Sequence, residues 1–421
     1  VDKLPKLNLE DLNPKPEDFN LEIIDGNYKS LVSDYFTNDI HYVNYSFIID
    51  SMDKESAQYL KLLSSLLSNV NTETTSYGDI HKNIQSLTGG ISFASSVYLT
   101  GDDECKVKFD ISYSAVEENL DAANDIVLDI IHNTKLDDYK RIMEKLAEMK
   151  VSQQMMIVNA GHVMSLMRAG SYITETTYLN DAITGLGYFD FLCDLVNNYE
   201  SKKEEMTSKF EELLKNVFTK NNFLFRFTGS KENLNNAYSV ADKFYLSLSE
   251  EVHNYKSSFE PNSLNEAVKT PADVNYVARV GLYDKPFTGA MYVLNNALSL
   301  DYLWMQVRVH GGAYGCMIQT PKNGFIGFTS YRDPNIERTN KVYEDVVDYI
   351  KALNPTDEEL LKYKIGAIGS LDQVLHVSSK GNLAQSNYLA GFTYELQAKY
   401  RKEAITDIKE IKLWVAYKKL D

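Results

Sequence analysis

Three cysteines in 421 residues, Cys105, Cys193 and Cys316, are too few and too scattered for a disulfide framework or a Cys-x-x-Cys metal knuckle, which favours a reducing compartment. No apolar run approaches the ~18 residues of a membrane span, so no membrane partner is expected. The opening residues Val1-Asp2-Lys3-Leu4-Pro5-Lys6 hold no apolar core of a signal peptide. A bacterial cytoplasmic location is the expectation, an organelle the alternative. The chain also starts without Met, which fits either simple processing or a piece of a longer polypeptide. Basic charge is short: 43 Lys and Arg against 59 Asp and Glu leave a net charge of −16, which argues against a nucleic-acid partner. Histidine pairing is missing as well. Of seven histidines the closest two, His132 and His162, are 30 residues apart, and neither His-x-x-Glu-His nor His-Glu-x-x-His occurs. A zinc site of its own is therefore not expected. A Gly-x-Ser-x-Gly elbow and a phosphate-binding loop are likewise lacking.

What is present is an ordinary globular composition, 44% hydrophobic and 24% charged, in a chain long enough for two domains of roughly 200 residues. Residues 43, 45, 47 and 49 are apolar in alternation and predict a strand; Leu60, Leu63, Leu67 and Val70 predict a helix after it. Thr88-Gly89-Gly90 opens a further strand. Cys105, Val107, Phe109, Ile111 and Tyr113 alternate with polar residues, as in an antiparallel sheet covered on one face. A helix through Leu120, Ala123, Val127 and Ile130 closes the unit. The order recurs: a strand through Ala278, Val280 and Leu282, a helical stretch from Ala290 towards Val307, Gly311-Gly312, a strand pair to Tyr331, and a helix with Val342, Val346 and Ile350. The landmarks Val43-Asn44-Tyr45 and Val274-Asn275-Tyr276, with Gly89-Gly90 and Gly311-Gly312, point to an internal duplication. The predicted class is α+β, two related domains with mainly antiparallel sheets covered by helices. The predicted divisions are an extended arm over 1–20, a first domain over 21–250 containing a helical insertion, a linker over 251–265, and a second domain over 266–421. Thr356 with Glu359 predicts a capping box for a late helix.

One segment concentrates unusual residues: Arg308-Val309-His310-Gly311-Gly312-Ala313-Tyr314-Gly315. Glycines permit close backbone approach, an Arg can hold peptide carbonyls or a carboxylate, and a Tyr hydroxyl can stabilise an oxyanion. The alternative is a strand-opening turn with a solvated Arg and a packed Tyr.

This segment, with Gly324 to Phe328 and Ser330-Tyr331-Arg332-Asp333-Pro334-Asn335, resembles the C-terminal signature of the presequence-protease (falcilysin-like) branch of the insulinase/pitrilysin peptidases. Ser76-Tyr77-Gly78-Asp79-Ile80, Thr88-Gly89-Gly90-Ile91-Ser92, Ala160-Gly161-His162, Arg168-Ala169-Gly170-Ser171-Tyr172 and Gly185-Leu186-Gly187-Tyr188 resemble the domain before it, and Leu4-Pro5-Lys6-Leu7 the chain after the family's hinge. The resemblance implies half of a LuxS/MPP-like clamshell zinc endopeptidase that degrades unfolded peptides in a closed chamber. It implies that zinc and its general base lie in an N-terminal half of the same polypeptide, so that this chain alone is inactive. The family's Arg and Tyr match Arg308 and Tyr314 as catalytic residues, with Arg308, Gly311, Gly312 and Ala313 binding substrate. Ala57 to Leu67 keeps no His or Glu where zinc ligands would stand. The alternatives are a glycine-rich-loop subunit of a heterodimeric peptidase, or a peptide-binding scaffold.

Overall fold

The computed structural model describes residues 7–283 and 286–407. Its first unit is built on β1 (Glu22–Asp25), β2 (Lys29–Asp34) and β3 (Ile40–Ile49), followed by α1 (Lys54–Leu66), α2 (Tyr77–Leu87), β4 (Ile91–Leu99), β5 (Cys105–Val116) and α3 (Leu120–Asn133). Five helices come next: α4 (Tyr139–Asn159), α5 (Gly161–Gly170), α6 (Glu175–Thr184), α7 (Leu186–Asn197) and α8 (Tyr199–Val217). β6 (Phe223–Gly229) and α9 (Leu234–Leu246) complete it. The second unit holds β7 (Ala278–Leu282), α10 (Ala290–Ala297), β8 (Gly315–Gln319), β9 (Phe325–Tyr331) and the helices α11 (Ile336–Ala352), α12 (Asp357–Leu371), α13 (Val377–Leu389) and α14 (Tyr394–Lys402). α10 runs on without a break into a wider π-helical stretch, Leu298–Val309.

The six strands of the first sheet lie in the order β1-β2-β6-β3-β5-β4, with β2 and β6 parallel and the other pairs antiparallel. The second sheet is β7-β9-β8, antiparallel throughout. Strands β3-β5-β4 and β7-β9-β8 thus repeat one arrangement, strand by strand and in the same chain order. The alternation of β5 has its expected cause: Cys105, Val107, Phe109, Ile111, Tyr113 and Ala115 are buried, while Lys106, Lys108, Asp110, Ser112 and Ser114 line the other face. Against the buried face α9 brings Phe244, whose ring stacks on Tyr45 with centroids 4.3 Å apart. Asp53 caps α1 through the Ser56 amide at 2.9 Å, and Thr356 with Glu359 forms the reciprocal capping box of α12.

Strands β1 and β2 precede the strand at Val43 that alternation marks as the first. Their apolar pairs, Ile23-Ile24 and Leu31-Val32, are too short to show a period, and β2 owes its place to pairing with the distant β6. Three helices of the insertion, α5 to α7, are short and begin at or beside Gly161, Thr174 and Gly185, so they leave little helical period in the sequence. Leu4-Pro5-Lys6 and the end of the second domain, 408–421, lie outside the described residues.

The two units dock reciprocally. From the first unit, α5 lies on β7 and β9: Gly161 sits under the Tyr276 ring, where an added Cβ would come within 2.2 Å, and Gly327 meets Leu166 in the same way at 2.6 Å. From the second unit, α13 lies on β2 and β6, with Gly381 against Thr228. Arg226 on β6 is only 1% exposed and donates to Gln385 Oε1 at 3.0 Å and to Asn382 Oδ1, with Asp110 of β5 at 3.4 Å. Gln385 in turn donates to the Phe227 carbonyl at 2.9 Å. A buried guanidinium is tolerated here because its N–H groups meet acceptors and a carboxylate offsets its charge.

Residues 251–270 form neither helix nor strand and run as a strap along the first unit. The Arg168 fork holds the strap's Glu266 at 2.7 and 3.1 Å while reaching the buried Asp181 at 3.0 Å; Tyr172 donates to the same Glu266 at 2.9 Å. Gly185 and Gly187 lie against the Asp181 carboxylate, where a Cβ would fall 2.3 and 2.8 Å from its oxygens. The family-like stretch from Arg168 to Tyr188 is therefore a clasp. The arm is fastened to the second unit, with Arg401 donating to the Asn13 carbonyl at 2.7 Å and Lys380 paired with Glu17.

Candidate functional site

The segment Arg308–Gly315 joins the end of the π-helical stretch to β8. The widened turns are visible in the His310 amide, which donates five residues back to the Met305 carbonyl at 2.9 Å. Two donations then close the helix: the Gly312 amide to the Arg308 carbonyl at 2.9 Å and the Ala313 amide to the Val307 carbonyl at 3.2 Å. Gly312 has φ +83°, and at Gly311 a Cβ would lie 2.3 Å from the Val307 oxygen. Both glycines are demanded by the backbone itself. Ala313 is buried, and the Gly311 carbonyl accepts from Asn335 Nδ2 at 2.6 Å. Much of the turn's own polar backbone is thus used internally, and what it leaves to a ligand is its bare surface.

Tyr314 follows, 64% exposed, with its amide donating to the Tyr331 carbonyl at 2.9 Å. Backbone pairing fixes its position while its side chain stands largely in solvent. The Arg308 guanidinium lies 4.0 Å from the centroid of the half-exposed Trp304 one turn earlier, which supports it by a cation–π contact. Arg332, after β9, lies 5.8 Å from the Tyr314 ring and 5.5 Å from the Tyr331 ring. His162 packs edge-on against Tyr331 at 4.8 Å, and Tyr276 anchors its hydroxyl to the Val158 carbonyl at 2.6 Å. Burial holds the His162 ring below the usual imidazole range and raises the Tyr276 phenol, an effect Arg332 partly offsets.

Behind Arg332 stands Asp333, fully buried. Its carboxylate accepts from the Asn335 amide at 2.8 Å and the Thr339 hydroxyl at 2.7 Å, while its backbone exchanges two hydrogen bonds with Asn275 at 2.9 Å. Arg338 donates to the His310 carbonyl at 2.6 Å and caps the helix end. The structure therefore brings Arg308, Gly311, Gly312, Ala313 and Tyr314 together as the sequence suggests, and adds Arg332, whose motif is visible in the sequence but whose place beside Tyr314 is not. Among the described residues no three His, Cys, Asp or Glu side chains come together as a metal centre, so the residues present do not fit zinc.

Residues 1–195 match the sequence model of the associated domain of peptidase family M16, subfamily C, and residues 265–415 that described as PreP C-terminal domain. The chain is 33% identical over 422 residues to protein HypA of Clostridium perfringens, covering 98% of this chain and 43% of that protein. It is 27% identical over 418 residues to presequence protease 1, chloroplastic/mitochondrial, of Arabidopsis thaliana, covering 97% and 39%. The chain thus spans about two-fifths of the length of these relatives. Among solved structures, a conserved protein from Enterococcus faecalis superimposes with a TM-score of 0.62 at 14% identity, covering 91% of this chain and 96% of that one. A peptidase M16 inactive domain from Pseudomonas fluorescens superimposes with a TM-score of 0.60 at 14% identity, covering 93% and 95%. No helix among the described residues is long and apolar enough to cross a membrane.

Proposed function

The chain belongs to the M16 peptidase family, as a C-terminal part of the presequence-protease type, and from that premise we propose that Arg308 and Tyr314 complete the active site of a zinc-dependent endopeptidase acting on unfolded peptides. Zinc and its general base belong, in this reading, to the remaining N-terminal part of the polypeptide, and this chain alone is inactive. The observation that carries the reading is the exposure of Tyr314 together with its fixed backbone. A large aromatic side chain is left in water at the end of a buried sheet, on a turn that two glycines make possible. A Tyr hydroxyl so placed donates to the oxygen of a peptide carbonyl as it gains charge, and needs no rearrangement when it does so. Arg308 presents planar donors that fit backbone carbonyls of an extended peptide and fix its register. Closure of the two halves over the peptide expels water and strengthens both interactions. An enclosed chamber restricts substrates to chains that are already unfolded.

In the full-length polypeptide, Arg308→Ala should lower kcat/KM for an unfolded peptide by about 10- to 100-fold, the range of a lost charge-assisted contact. Metal content, measured on the same sample, should stay at the wild-type level. Unchanged kcat/KM, or a loss of activity that merely follows lost metal, contradicts the reading.

A further inference from the structure

Eight arginines occur in the chain, and five of them are ion-paired: Arg141 with Glu144, Arg168 with Asp181 and Glu266, Arg226 with Asp110, Arg279 with Glu344, and Arg401 with Asp372. The three that form no ion pair among the described residues are Arg308, Arg332 and Arg338. All three surround the glycine turn, in a chain whose net charge is −16. A surplus of carboxylates makes unpaired guanidinium groups the exception, and their collection at one place is a local reversal of the molecule's charge. Arg338 is committed to the His310 carbonyl, and Arg308 is stacked on Trp304. Arg332 alone among them combines a cation with a strained backbone: its φ is +50°, a region that branched and long residues rarely adopt.

The strain is imposed from both sides. Tyr331 before it is paired with Tyr314, and Asp333 after it is buried and doubly bonded to Asn275. Glycine would occupy this position more easily, so the arginine costs stability that some other property of the site must offset. The rings of Tyr314 and Tyr331 steady the guanidinium without neutralising it, which leaves its planar fork for a ligand.

We propose that Arg332 is an anion subsite that takes a carboxylate of the peptide substrate beside Tyr314. The inference rests on the peptidase reading for the identity of its ligand and on the charge and backbone geometry for the site itself. The carboxylate comes either from the peptide's C-terminus or from an acidic side chain. Because the rest of the chain is anionic, a carboxylate is repelled elsewhere and accepted here, and this sets the register of the peptide as much as its affinity.

The test uses the full-length polypeptide and three short unstructured peptides of one core sequence, followed by isothermal titration. One has a free C-terminus and no acidic residue, one is amidated with a central Asp, and one is amidated with Asn in that place. At least one carboxylate peptide should bind about tenfold tighter than the amidated Asn peptide, the scale of a charge-assisted contact, and which one does so identifies the source. Arg332→Gly should abolish the advantage while leaving Tm unchanged or raised. Arg332→Gln, which keeps the length and the strained backbone, should abolish it too. Equal or absent binding of all three peptides, or an advantage that survives both substitutions, overturns the subsite. Turnover separates this from the wider reading: if Tyr314→Phe leaves turnover intact while the Arg332-dependent preference persists, the peptidase role fails and the anion subsite stands.

Discussion

The two repeats end their equivalent strands differently. In the first, Ile91 at the start of β4 pairs with Tyr113; in the second, Gly315 at the start of β8 pairs with Tyr331. That register makes Gly90 the counterpart of Tyr314 and Ser114 the counterpart of Arg332. Gly90, with φ +129° and open space around it, carries no side chain at all, whereas Tyr314 carries a ring into solvent. Tyr113 is buried, its hydroxyl 2.9 Å from that of Tyr45, while Tyr331 forms one wall of the cluster around Arg332. The helix before Gly89-Gly90 ends without a cation, and the helix before Gly311-Gly312 ends with Arg308. One frame therefore serves two ends. In the first repeat the strand ends are filled for packing, and in the second they hold exposed donors that packing does not need. Chemistry in such a duplicated fold is settled by the few residues at the strand ends, not by the sheet that presents them.

Glycine substitutions break this comparison most strongly. Gly311→Ala drives a Cβ onto the Val307 carbonyl and Gly312→Ala forces a side chain to φ +83°, so each should cost about 1–3 kcal/mol and displace Tyr314. Gly90→Ala suffers comparable backbone strain at φ +129° but has nothing nearby to displace. Denaturant melts should show losses of similar size at both turns, and peptide turnover by the full-length polypeptide should fall only for the second-repeat variants. A turnover loss for Gly90→Ala would mean that the first repeat shares in the site.

A smaller effect concerns pH. Burial lowers the proton affinity of His41, His132 and His162. All three favour the neutral ring in the folded chain, so the unfolded chain binds more protons once pH drops below its ordinary histidine value of about 6.5. Their contribution is complete above that pH and is lost as pH falls through the lower folded values. Tm should decline between about pH 7 and pH 5.5, before the lowered carboxylates such as Glu266 begin to titrate. His162→Gln, at the junction of the units, should flatten part of that decline, while a flat Tm profile for the parent chain would contradict it.

What could be read from the sequence follows from the range of each interaction. Strands β5, β7, β8 and β9 carry their alternation or their bounding glycines on the chain itself. The glycine turn, Arg308 and Tyr314 lie within one short segment, and so they could be singled out before any contact was known. By contrast, Phe223-Leu224-Phe225-Arg226-Phe227 reads as a strand with one polar interruption. Only the arrival of Gln385, 159 residues later, explains why an arginine can be buried there. Arg332 is plainly visible within its motif, yet its left-handed backbone comes from Asn275 and Tyr314 and not from its own residue type. Local pattern reveals elements and turns, while pairings between units fix how those elements are used.

The central claim is that the second repeat, and not the first, supplies the oxyanion donor of a shared active site. Its most direct measurement is a single-turnover assay of the full-length polypeptide carrying Tyr314→Phe, with Tyr113→Phe in parallel and metal determined on each sample. Loss of the exposed hydroxyl should slow the chemical step by about 10²–10³-fold with stability and metal unchanged. Loss of the buried hydroxyl should cost about 1 kcal/mol of stability and leave the rate alone. Equal rates for Tyr314→Phe and the parent polypeptide would contradict the account.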